Sequence, residues 1–134
     1  MNRITETGAH WSSQLTRDLS NLLAIPIDSS TGAFILEDSE GIAWTLEFSD
    51  DPDLLILHAP LLERARSPCN EELHGWLTMH GQPRLLQGSC VALDQAAGQL
   101  RLVHTLHARD ADAYRVNDTL SQLRSLRSHF IQMC

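Results

Sequence analysis

The sequence predicts an α+β fold in which helix, three strands, helix, two strands and helix follow one another, with an antiparallel sheet packed by the helices. Three observations carry this. Apolar residues recur at steps of three and four in three stretches. Five short segments between them have the alternating or continuous apolar pattern of strands. Clusters of Gly, Pro, Asp and Ser separate the segments as turns, two of them hairpin turns.

Residues 1–8 are polar and are expected to be loose. From about His10 to Ala24, Trp11, Leu15, Leu19, Leu22 and Leu23 form one helical stripe, and Pro26 blocks its continuation. After the turn Asp28–Gly32, Ala33–Leu36 is the first strand. Asp38-Ser39-Glu40-Gly41 reads as a hairpin turn, with Gly41 supplying positive φ. In the second strand Ile42, Trp44, Leu46 and Phe48 share one face, and Ala43, Thr45 and Glu47 the other. Ser49–Asp53 is a turn. The third strand, Leu54–Ala59, is an unbroken apolar run, which predicts burial on both faces. Pro68 and Asn70 precede a short helix, Glu71–His80, with Leu73, Trp76, Leu77 and His80 at helical spacing and Gly81 and Pro83 at its end. Leu85–Leu93 and Gln99–His107 form a second hairpin across Asp94–Gly98. Asp110 is the expected N-cap of a last helix striped by Ala113, Val116, Leu120, Leu123, Leu126, Phe130 and Met133. No repeat or linker divides the chain, so residues 1–134 are expected to form one domain.

The chain has 134 residues and a formal net charge of −7. That balance argues against nucleic acid and against anionic membrane as partners, since both require a basic face. Residues 1–53 carry ten Asp/Glu against two Arg, so the first half is expected to present an acidic face to a basic or polar segment, or simply to solvent. There is no lysine, which excludes Schiff-base and phosphate-loop chemistry that depends on one. No run is apolar enough for a membrane span or a signal core, so the expected location is the cytosol. Cys69, Cys90 and Cys134, odd in number and widely spaced, point to reduced thiols.

A search for chemistry finds no constellation. The histidines lack the spacing of a metal motif, and no cofactor is implied. Gly88-Ser89-Cys90 lies in a strand pattern rather than a nucleophile elbow. Cys69, near a helix start, is a candidate redox thiol or an inert one. Asp50, Asp51 and Asp53 lack the rest of a calcium loop. A ligand pocket built around His58, His74 and His104 is the alternative to a protein-binding role. Trp76 is either a core or an interface residue.

From Leu15 to Phe130 the chain resembles the class I chaperones of type III secretion, the Tir-chaperone-like family. The residues that carry the resemblance are Ile27-Asp28 with Gly32 before Phe34-Ile35-Leu36, and the apolar strand Leu54–Ala59. Beyond these come the Leu-rich helix Leu73–Met79, Leu93-Asp94 with Gly98, and Leu106–Asp110 leading into the last helix. Members often have Leu-Leu and then Asn where this chain has Trp76-Leu77 and His80. The resemblance implies a non-enzymatic cytosolic homodimer. Its implied role is to hold the N-terminal segment of a secreted effector in an extended form, soluble and ready for export, with the secretion apparatus as a further partner. It assigns effector contact to Trp11, Leu15, Phe34, Leu36, Leu55 and Leu57. The dimer contact falls to Leu73, Trp76, Leu77, Leu86, Val91 and Leu93.

Overall fold

Alternation along the strands sorts the chain into one buried and one open sheet face. The computed structural model describes residues 3–27, 32–50, 53–61 and 69–131. The elements run α1 (Arg3–Leu23), β1 (Ala33–Glu37), β2 (Ala43–Asp50), β3 (Asp53–Pro60), α2 (Asn70–His80), α3 (Pro83–Leu86), β4 (Cys90–Asp94), β5 (Gln99–His107) and α4 (Ala113–Ile131). The strands form one antiparallel sheet in the order β1-β2-β3-β5-β4.

Phe34, Leu36, Trp44, Leu46, Leu55, Leu57, Ala59, Leu102 and Leu106 all point to the buried face. The register brings them into rows, with Phe34 beside Leu46 and Leu46 beside Leu57. Leu15 and Leu19 of α1 close over them, as do Val116, Leu120, Leu123 and Phe130 of α4. Each such side chain contributes about 1.5–3 kcal/mol by leaving water. α4 lies against both α1 and α2. Its C-terminal half is pinned at three points: Arg124 pairs with Asp38 at 3.7 Å, Arg127 donates to the Pro60 carbonyl at 2.7 Å, and the Phe130 carbonyl accepts from Trp76 Nε1 at 3.2 Å.

Five sequence expectations change. α1 starts at Arg3, inside the stretch expected to be loose; once an amphipathic segment has nucleated, each added residue gains a hydrogen bond at little cost. β3 buries only Leu55, Leu57 and Ala59, while Leu54, Ile56 and His58 stay half-exposed, because the helices cover one face of the sheet. Leu85 and Leu86 belong to α3, a single helical turn that starts at Pro83, whose fixed φ suits a first helical position. The following strand is therefore only five residues long. Asp112 rather than Asp110 caps α4: its carboxylate accepts the Arg115 N–H at 2.7 Å, and residues 108–110 form a 3₁₀ turn. Cys69 is disulfide-bonded; wide spacing in sequence does not set which cysteines meet in space. Among the described residues Cys90 is the free cysteine, and it is exposed.

The β1–β2 hairpin turn forms as read, with Gly41 at φ +81°. Asp38 anchors it. One carboxylate oxygen accepts from the backbone N–H groups of Glu40 and Ile42, and the other from Trp44 Nε1, each at 2.9 Å. Burial acts to raise the carboxyl pKa. The hydrogen bonds from Trp44, Ile42 and Glu40 and the charge of Arg124 outweigh it and hold the pKa below its usual value. The folded value therefore lies under the unfolded one. Its stabilising contribution is complete above about pH 4 and is lost as pH falls through the folded value. Asp38→Ala leaves three donors unpartnered and is expected to cost about 2–3 kcal/mol at pH 7. In urea titrations the gap between variant and parent narrows at pH 3; an equal gap at both pH values contradicts this role.

Candidate protein-binding surface

The two edges of the sheet differ. In β1 the cross-strand bonds from Phe48 N–H to the Gly32 carbonyl and from Asp38 N–H to the Ile42 carbonyl, both 2.9 Å, fix which residues face β2. The even-numbered positions pair inward, so Ile35 turns its N–H and C=O to the open edge. Its side chain, on the face away from the helices, is 66% exposed. Among the described residues no strand pairs with β1 on this side, and an edge residue of this kind is a template for another strand.

β4, the opposite edge, is partly closed by His80. The His80 ring meets the Trp76 carbonyl through Nδ1 at 2.7 Å and the Val91 N–H through Nε2 at 3.2 Å. A carbonyl only accepts and an N–H only donates, so the proton sits on Nδ1 and Nε2 receives the strand's N–H. The same contact ties the end of α2 to β4.

α2 buries Glu72, Trp76 and Met79. Trp76 packs edge-on against Phe130, with ring centroids 6.0 Å apart. Glu72 is buried because its carboxylate turns back to accept the Cys69 N–H at 2.9 Å, while its own N–H donates to Cys69 Sγ at 3.4 Å, closing a capping box. Leu73 and Leu77, one turn apart, are left on the outer side, 41% and 73% exposed. On β4, Leu93 is 57% exposed and Val91 half-buried.

Of the six residues assigned to a dimer contact, Leu73, Leu77 and Leu93 thus lie open, Val91 is partly covered, and Trp76 and Leu86 are core. Of the six assigned to effector contact, Leu15, Phe34, Leu36, Leu55 and Leu57 are core residues in this single chain. Trp11 is half-buried, edge-on to Phe48 at 5.3 Å, and among the described residues its buried Nε1–H has no acceptor. Ile35 is an exposed apolar residue of the sheet to which the sequence assigns no contact. Alternation marks it, since it lies between the inward Phe34 and Leu36.

The outer sheet face carries its own polar chain. Arg101 Nε donates to His58 Nδ1 at 2.7 Å, so the His58 proton is on Nε2 and is given to Glu47 at 3.0 Å. Burial draws the Arg101 guanidinium below its usual value, opposed by Asp94 and Glu47. His58 and His104 occupy opposite faces of the sheet, and His74 is exposed on α2. These three histidines do not converge, because neighbouring register positions on β3 and β5 alternate in direction. Among the described residues no group of His, Cys, Asp and Glu is placed to hold a metal, and no helix is long and apolar enough to cross a membrane.

No protein-family model and no curated protein sequence matches the chain. Solved structures do. The fold matches a chain of the HopA1–SchA chaperone–effector complex with a TM-score of 0.72 at 18% identity, covering 88% of this chain and 91% of that one. It matches a chain of the ExsC–ExsE complex with a TM-score of 0.73 at 13% identity, over 99% and 96%. It matches a chain of the heterodimeric ExoU–SpcU complex from the type III secretion system of Pseudomonas aeruginosa with a TM-score of 0.70 at 18% identity, over 89% and 96%. At such identities the likeness is one of fold: this chain has a type III secretion chaperone-like α+β fold.

The placement of Ile35 and Leu57 on opposite faces is directly measurable. Leu57→Ala opens a cavity and is expected to cost about 2–5 kcal/mol. Ile35→Ala, on the surface, is expected to stay within about 0.5 kcal/mol. Chemical denaturation of both variants checks the pair; similar losses contradict the assignment of faces.

Proposed function

We propose that this chain is a non-enzymatic bacterial chaperone that holds an extended N-terminal segment of a type III secreted effector, keeping it soluble and competent for export. The observation that carries the reading is Ile35 on β1, whose backbone groups face away from β2, the one strand that pairs with β1 among the described residues, and whose side chain is exposed. A client strand added there gains main-chain hydrogen bonds for affinity and side-chain pockets for specificity. The likeness to chains solved in chaperone–effector complexes supports it. Exposed Glu37 on β1 and Glu40 in the turn favour a client segment with basic residues. The protein acts in the cytoplasm and delivers its client to the secretion apparatus.

The working unit is a homodimer joined through α2 and β4. Leu73, Leu77 and Leu93 are large apolar side chains left in water by a single copy, and a self-complementary interface of about 800 Å² per partner would cover such a set. Size-exclusion chromatography with light scattering is expected to give a dimer at micromolar concentration. Leu77→Asp with Leu93→Asp is expected to give a folded monomer. A monomeric parent protein contradicts the dimer.

The client site is tested by co-purification with a secreted protein encoded beside this chain. Proline at position 35 removes only an outward N–H, which an edge strand tolerates. Ile35→Pro is therefore expected to weaken client binding at least about tenfold, or about 1.4 kcal/mol, with little change in Tm. Unchanged binding by this variant, or by a client lacking its first hundred or so residues, contradicts the reading.

A further inference from the structure

β4 is the strand in which no residue is fully buried; each of the other four buries at least two. A helix about 10 Å across spans roughly two strands set about 4.8 Å apart, so α1 and α4 together cover about four of the five. Between α4, β5 and the α3–β4 connection this leaves an open cavity of about 280 Å³. Leu86, Leu123 and Leu126, all buried, form its apolar wall. Facing them, Ser89 Oγ lies 2.9 Å from His104 Nδ1. Ser89 is only 7% exposed. It is brought there by two successive left-handed residues, Gln87 at φ +50° and Gly88 at φ +89°. Glycine takes that conformation freely, but glutamine holds it at a cost of about 1–2 kcal/mol, and strain of this kind gathers at binding sites.

The lining of this cavity differs in charge from the chain as a whole. The chain carries −7, yet none of the residues lining this cavity is acidic. Burial, and after it the positive charge of Arg115, lowers the His104 pKa, so the ring is neutral at pH 7. A neutral ring with its proton on Nε2 accepts from Ser89 Oγ at Nδ1, and Nε2 has no partner among the described residues. The Gln122 side chain and the exposed His129 also line the cavity and can donate hydrogen bonds. Hydrogen-bond donors and nearby positive charge without a carboxylate, set against leucines, match an anion with an apolar body. The volume, just under the usual range of about 300–1,000 Å³ for ligand sites, fits a small one.

We propose that this cavity binds a small organic acid, its apolar body against Leu86, Leu123 and Leu126 and its carboxylate toward His104 and Gln122. The site is remote in sequence and in strand order from the β1 edge, so it stands or falls independently of the client reading. The test is a ¹H–¹⁵N NMR titration of the full chain with 3-phenylpropionate and, separately, with the neutral 3-phenylpropanol. Saturable shifts are expected at Gln87–Ser89, His104, Thr119 and Gln122, with the alcohol at least about tenfold weaker. Ser125→Trp, an exposed rim position on α4 where the added ring fills the opening, is expected to abolish the shifts while the rest of the spectrum stays that of a folded protein. No saturable shift at millimolar acid, shifts centred elsewhere, equal affinity for the alcohol, or undiminished binding by a folded Ser125→Trp variant would overturn the proposal.

Discussion

Burial of the α4 stripe against the sheet is the constraint on which the remaining structure depends. Val116, Leu120, Leu123 and Phe130 lose nearly all their exposure, and at about 1.5–3 kcal/mol each they outweigh any single polar contact in the fold. The polar contacts then set where α4 sits. Arg124 reaches the hairpin carboxylate Asp38, Arg127 reaches the end of β3, and the Phe130 carbonyl receives Trp76 from α2. A single helix thereby holds the β1–β2 hairpin, the central strand and α2 in one frame.

What that frame leaves uncovered follows from widths and edges. The helices cover one sheet face and stop short of β4. The outer face satisfies itself through the Arg101–His58–Glu47 chain. The two edges are then treated differently. His80 closes part of β4, while Ile35 on β1 keeps its backbone and side chain turned outward. This asymmetry separates the two proposed contacts: strand addition at β1 for a client, and side-chain packing of α2 and β4 for a second copy. It rests on one imidazole whose two nitrogens serve a helix carbonyl and a strand N–H.

The sequence made the element order readable, because helical and strand periods differ and because Gly41 marks its turn chemically. Faces were harder. β2 was read correctly since its polar residues alternate with Trp44 and Leu46, but β3 is apolar throughout and its half-exposure depends on what packs above it. On α2 the apolar residues Leu73, Trp76 and Leu77 span two sides of the helix, and the buried side is decided by Trp76 meeting Phe130 and by Glu72 folding back to its cap. That glutamate looks like a solvated residue in one dimension. The residues named for effector contact are apolar positions of the first helix and the sheet, which is also why five of them form the core. Ile35 is equally apolar, and only its place between the inward Phe34 and Leu36 sets it on the open face.

The central claim is that the β1 edge receives the client strand, and amide hydrogen exchange reads it directly. In the free protein the Ile35 N–H points away from β2 and should exchange quickly, while its inward neighbours Phe34 and Leu36 exchange slowly. With the effector segment bound, the account predicts strong new protection at Ile35 and Glu37 and little change at Val91. Protection that appears at β4 instead, with Ile35 still exchanging freely in the complex, would contradict it.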